Sequence, residues 1–189
     1  MIMGYFKTII LLLAVSLCCT GYAQEMSVST NVLGYVNLGT MNMEASWGFS
    51  RHWSANVGLR YNPFTFPGRE GIADTMQARQ RTVSVGGRYW PWHIHSGWWL
   101  AGKAQYQEFN LGGLTDPETS EGDRIGGGLT GGYTYMISPR FNLEVGAGVW
   151  AGYEFYTTYA CPECGRVIGQ GERPFVLPNE LLLGLVYVF

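Results

Sequence analysis

A two-residue rhythm of apolar and polar side chains runs through almost the whole chain and constrains its fold more than any other feature. Phe141, Leu143, Val145, Ala147, Val149, Ala151, Tyr153 and Phe155 fall on one face of an extended segment. Asn142, Glu144, Gly146, Gly148, Trp150, Gly152 and Glu154 fall on the other. A helix would scatter both sets around its axis, whereas a strand separates them. The same alternation sets Trp53, Ala55, Val57, Leu59 and Tyr61 against Ser54, Asn56, Gly58, Arg60 and Asn62, and it puts Lys103, Gln105 and Gln107 on one face. Followed along the chain, it predicts eight strands at roughly 26–36, 40–49, 52–63, 81–91, 97–110, 123–136, 140–156 and 178–189, with no competing helix.

The connections alternate in length. Tight turns are expected around Ser50-Arg51, from Trp92 to Ser96, and at Ile137-Ser138-Pro139. Long loops are expected at about 64–80, 111–122 and 157–177, and the first connection, near Asn37 to Gly39, is short. Tight turns at one end and long loops at the other are the layout of an up-and-down outer-membrane barrel.

The make-up of the two faces supports that layout. Charged residues are 14% of the chain and lysine occurs only at Lys7 and Lys103, far below what a water-facing surface uses. The polar face carries Glu44, Arg60, Arg88, Lys103, Arg124, Glu144 and Glu154 among Gly, Ser and Thr. Such spacing suits a narrow interior in which charges pair, and an eight-stranded barrel is just wide enough for its side chains to fill. On the apolar face, Trp47, Phe49, Trp53, Trp98, Phe141, Tyr187 and Phe189 crowd the turn end, and Tyr61, Tyr106, Tyr153 and Phe155 mark the loop end. From Trp53 to Tyr61 or from Phe141 to Tyr153 spans roughly 20–30 Å of membrane normal at ~3.3 Å per residue and ~40° tilt, against an apolar band of about 25 Å. The fold class expected is all-β: an eight-stranded antiparallel transmembrane β-barrel with a side-chain-filled interior.

Residues 1–23 read as a cleaved signal peptide: Lys7, an apolar stretch from Ile9 to Cys19, and Gly21-Tyr22-Ala23 before the cut. Residues 24–189 form the barrel domain, and both termini of the mature chain are expected in the periplasm. Cys18 and Cys19 leave with the signal, so Cys161 and Cys164 meet an oxidising compartment, where a disulfide is favoured. The alternative is half of a zinc or rubredoxin-like knuckle. Tetrahedral zinc needs four ligands, and His52, His93 and His95 lie in the turns at the opposite end, so that site would have to be shared between two chains.

Gly184, Tyr187 and Phe189 at the chain end resemble the C-terminal assembly signal of bacterial outer-membrane barrels, with Leu182 departing from it where that signal carries a polar residue. The chain also resembles an uncharacterised domain-of-unknown-function family of small outer-membrane barrels typical of Bacteroides-like bacteria. The resemblance is carried by Tyr61-Asn62-Pro63-Phe64-Thr65-Phe66, Arg88-Tyr89-Trp90, Phe109-Asn110-Leu111-Gly112-Gly113, Phe141-Asn142-Leu143-Glu144 and Cys161-Pro162-Glu163-Cys164-Gly165. These resemblances imply the barrel-assembly machinery and outer-membrane lipid as partners. Through members that accompany surface fimbria systems, they also imply an extracellular or fimbria-related protein.

No catalytic constellation stands out. Glu144 and Glu154 lie ten residues apart on one strand, about 33 Å, beyond any shared proton transfer. Pairing with Arg60, Arg88, Lys103 or Arg124 inside the barrel is their expected role. Asp116, Glu118, Glu121 and Asp123 lack the spacing of a calcium loop, and His93-x-His95 reads as an interfacial anchor in a Pro-Trp-rich turn. With net charge −2 and no basic run, nucleic acid is not an expected partner. The reading is a surface scaffold without enzyme activity or cofactor. Its rivals are a membrane-embedded lipid-modifying enzyme, a soluble lipocalin-like ligand-binding barrel and a narrow pore.

Overall fold

The computed structural model describes residues 26–68, 73–113, 117–161 and 165–189. The chain runs β1 (Met26–Asn31), α1 (Val32–Val36), β2 (Met41–Ser50), β3 (Trp53–Asn62), β4 (Thr65–Pro67), β5 (Thr75–Tyr89), β6 (Gly97–Gly112), β7 (Thr119–Met136), β8 (Phe141–Tyr159) and β9 (Val167–Val188). Every pairing is antiparallel. β3 pairs with β5, and β1 pairs with both β2 and β9, so eight strands close into a ring, with the short β4 added to β5 above β3. Closure leaves no long unpaired edge around most of the circumference.

Alternation is what lets the ring close on these residues. In β3, Ser54, Asn56 and Asn62 are buried while Trp53, Val57, Leu59 and Tyr61 are exposed. In β6, Trp99, Lys103, Gln105, Gln107 and Phe109 point inward, and Trp98, Leu100 and Tyr106 outward. Small residues make the interior roomy enough. Gly132 of β7 is level with Trp99 of β6, and a Cβ there would come within 2.5 Å of the Trp99 ring.

The strands differ from the expected ones mainly at the loop end. β5 begins at Thr75, β8 runs to Tyr159 and β9 begins at Val167, so most of the residues expected in loops at 64–80 and 157–177 are paired strand. The first expected strand, 26–36, stops at Asn31, and its remainder is α1, a helical turn where none was expected. Asn31 switches the chain over. Its carboxamide accepts from Leu33 N–H as the helix N-cap, donates to Leu181 C=O at 2.9 Å and accepts from Leu183 N–H at 3.1 Å. One side chain thus replaces the next rung of the β1–β9 ladder.

The turn end is closed by a floor. The connection 90–96 folds into the ring, so that Trp90, Ile94, Trp99 and Ala101 form a buried apolar cluster. Trp90 donates its indole N–H to Ser54 Oγ at 3.1 Å. His95, read from sequence as an interfacial anchor, is instead buried, with φ 62° and its carbonyl accepting from Asn142 Nδ2 at 3.0 Å. Trp92 in the same turn remains exposed.

Candidate functional site

Seven strands deliver charged or amide side chains to the interior, and these gather in two clusters at different heights. Near the floor, Arg88 of β5 reaches across the ring. It donates to both oxygens of Glu144 at 2.8 and 3.0 Å and to Glu44 Oε1 at 2.8 Å. Lys103 Nζ donates to Glu44 Oε2 at 2.6 Å, and Asn56 and Thr134 complete the two carboxylates at 2.7 and 2.9 Å. The Arg88 guanidinium lies 4.0 Å from the centroid of the Trp99 ring. Among the described residues two cations face two carboxylates, and these four side chains are nearly all buried. Charges survive burial only when paired and hydrogen-bonded in this way.

Towards the loop end, Glu154 of β8 accepts from Arg124 Nε and from Arg173 Nη2, the latter at 2.7 Å. Arg124 lies over Phe109 at 4.0 Å, and Gln107 donates to Gln80 at 2.7 Å below it. Two guanidinium groups share one carboxylate, so this cluster is cationic. It is also more open, since the Arg173 side chain is 60% exposed. Arg60 lines the space between the clusters.

Thus the structure brings Glu44, Arg88, Lys103 and Glu144 together in one cluster and Arg124 with Glu154 in another. Lys103, one of the cations expected to pair with Glu144, instead donates to Glu44, and Arg88 takes both oxygens of Glu144. Sequence reasoning missed Arg173, which lies where a loop was expected, and missed that Trp99, Phe109 and Phe175 pack inside the ring; Trp150 packs there as its place on the polar face implied. Continued alternation past Glu172 would have found Arg173.

At the chain end, Tyr187 packs edge-on against Phe141 and Phe189, each 5.0 Å away, and Phe189 N–H donates to Met26 C=O at 3.0 Å. Cys161 is disulfide-bonded; Cys164 lies outside the described residues, as does Asp116. Glu121 and Asp123 sit on β7, where they accept from the Tyr159 and Tyr106 hydroxyls at 2.6 and 2.8 Å. The Glu121 carboxylate beside Tyr159, four residues beyond the aromatic row at Phe155, holds that phenol above its usual pKa. Among the described residues, no three His, Cys, Asp or Glu side chains gather as metal ligands.

No curated protein matches the chain. The family described as Protein of unknown function (DUF3575) matches residues 8–189, nearly the entire sequence, and the chain belongs to that family.

Proposed function

We propose that this protein is an outer-membrane β-barrel that holds external hairpins on a rigid, filled frame, as a surface scaffold rather than an enzyme. The observation that carries the reading is the outer surface of the ring. Val57, Val85, Leu129 and Val149 are each more than half exposed at mid-height. Trp47, Phe49, Trp53, Trp98 and Phe141 stand exposed on the turn side of them, and Tyr61, Tyr106, Tyr153 and Phe155 on the loop side. A continuous apolar belt of this kind far exceeds what a water-soluble monomer exposes, and aromatic rows at both edges suit the two membrane interfaces.

From the level of Tyr61 and Phe155 onward, the outward positions of the neighbouring strands turn polar: Arg81 and Arg79 on β5, Glu108 on β6, Asp123 and Glu121 on β7, and Glu172 on β9. These extensions suit hairpins standing in water outside the bilayer. In this reading residues 1–23 are a removed signal, both ends of the mature chain face the periplasm, and Cys161 pairs with Cys164 at the cell surface. Gly184, Tyr187 and Phe189 address the assembly machinery, and the hairpins meet an extracellular or fimbria-related protein. The filled interior argues against a pore.

Cell fractionation tests the reading, together with a denaturing gel run before and after boiling. The protein is expected in the outer-membrane fraction with a heat-dependent shift in migration, and deletion of Phe189 should slow its assembly. Recovery of the intact chain in the soluble periplasm would overturn the proposal.

A further inference from the structure

On the outer wall, from the loop-side aromatic row outward, charge is sorted by strand. β5 carries Arg79 and Arg81, whereas β6 carries Glu108 and β7 carries Glu121 and Asp123. Strand pairing sets them in two adjacent levels, Arg81–Glu108–Asp123 and Arg79–Asn110–Glu121. Arg79, Arg81, Glu108 and Asp123 are exposed and Glu121 is half-buried, so no described element covers this face. Within one chain the basic and acidic columns hold each other loosely. Arg81 Nη1 stands 3.9 Å from Glu108, with both side chains more than half exposed, and Arg79 Nε donates to Thr65 Oγ1 at 3.1 Å. A basic column beside an acidic one is complementary to its own copy. In a bilayer, two upright copies are related by a two-fold axis along the membrane normal, which keeps every residue at its own height and exchanges left with right. With that axis between β5 and β6, Arg81 of each chain faces Glu108 of the other, so the contact is made twice.

The belt below the same line admits close approach. Gly87 is level with Gly102 and Val85 with Ala104, so the outer wall falls there to backbone and small side chains. Packing within the chain does not demand these two outward glycines: a Cβ on Gly87 or Gly102 would meet nothing nearer than 3.8 or 3.9 Å, whereas one on the inward Gly86 would strike the Gly102 carbonyl. Glycine weakens a strand and marks places where another backbone comes near. The small residues only permit contact; the charges select the partner.

We propose that this protein pairs with a second copy of itself through the outward face of β5 and β6, about a two-fold axis along the membrane normal. The inference rests on the membrane reading above, because the bilayer fixes the direction of the axis.

Cross-linking tests the pairing, and insertion is read separately by flotation with vesicles and by the heat-shift of a folded ring. The full mature chain carrying Asn110→Cys, beside the axis and level with Arg79, is reconstituted into phosphatidylcholine vesicles and treated with a short thiol cross-linker. Glu172→Cys, on β9 away from this face, measures chance collision. Asn110→Cys should cross-link well above that control. Arg81→Glu alone and Glu108→Arg alone, each added to Asn110→Cys, should lower cross-linking about tenfold, or ~1.4 kcal/mol, since each reversal acts at both symmetric contacts. Mixing the two variants should restore it, because two carboxylates of one chain then meet two guanidinium groups of the other. Repair of a pair within one chain cannot produce that result. Inserted, heat-shifting chains that cross-link no more than the control would overturn the pairing, leave the face to lipid headgroups and leave the membrane reading standing. Chains that fail to float with the vesicles would overturn both. Cross-linking that the single reversals leave unchanged, or that mixing fails to restore, would overturn the charge match on which the pairing stands.

Discussion

The two ends of the same interior solve the problem of buried charge differently. Near the floor, Arg88, Lys103, Glu44 and Glu144 balance one another, are walled by Trp90 and Trp99, and have almost no contact with water. Towards the loops, Arg124 and Arg173 share Glu154, one of them lies largely in solvent, and the neighbouring wall drops to α1. Strand alternation is the same in both. What differs is closure: a floor of tryptophans removes water from the first cluster, and the early end of β1 leaves room beside the second. A neutral, dry cluster fixes the position of strands. A cluster open to solvent holds them less firmly, because water screens its charges.

That contrast is broken most directly at Arg88. Arg88→Met leaves Glu44 with Lys103 and Asn56, and Glu144 with the Thr134 hydroxyl in place of a guanidinium, deep in the ring. Removing one member of a buried ion pair costs about 3–5 kcal/mol, so the urea midpoint of the refolded protein, followed by its gel shift, should fall steeply. A change no larger than that of a surface variant would mean that the floor cluster is wet. Lys103→Met should cost less, about 1–3 kcal/mol, because Glu44 keeps Arg88 and Asn56 and its side chain retains some contact with solvent. A double-mutant cycle of Lys103→Met with Glu44→Gln isolates that pair. Coupling near zero would remove Lys103 from the lock.

How much of this could be read from sequence follows the same division. The turn-end half was legible, because uninterrupted alternation from Trp53 to Asn62 and from Phe141 to Phe155 assigns each residue to a face. The neighbours that close the ring then follow from up-and-down order. The pairings inside were not legible: Glu44, Arg88, Lys103 and Glu144 are brought together by register and stagger, which alternation does not specify. The loop-end half was obscured by local signals. Pro174 and Pro178 argue against a strand, although an edge tolerates both, so Arg173 fell in an expected loop. Val32 to Val36 does not alternate and only its apolar, β-branched and aromatic residues suggested the irregular end of a strand, whereas Asn31 ends β1 by capping both α1 and the β9 edge. The connection 90–96 carries polar and aromatic residues typical of an interface, and only the fold shows that Trp90, Ile94 and His95 turn inward.

The smaller effects belong to the loop end and sharpen the comparison from its other side. Arg173→Gln removes one of two cations on Glu154, but Arg173 is mostly exposed and Arg124 stays in place. The loss should be under about 1 kcal/mol and should shrink in high salt, as exposed ion pairs do. A loss as large as that of Arg88→Met would show that the two clusters are equally dry.

Smallest of all should be Tyr159→Phe, which removes the hydrogen bond to Glu121 outside the apolar belt. The phenol's folded pKa is raised, so what the bond contributes is fully present below the unfolded value of about 10 and is lost as pH rises through the folded value. Wild type and Tyr159→Phe should therefore differ by a constant small amount from pH 6 to pH 9 and converge above that range. The measurement is the urea midpoint of each across that series. A difference that opened or closed between pH 6 and pH 9 would place another titrating group at this hairpin, and would make the loop end as tightly coupled as the floor.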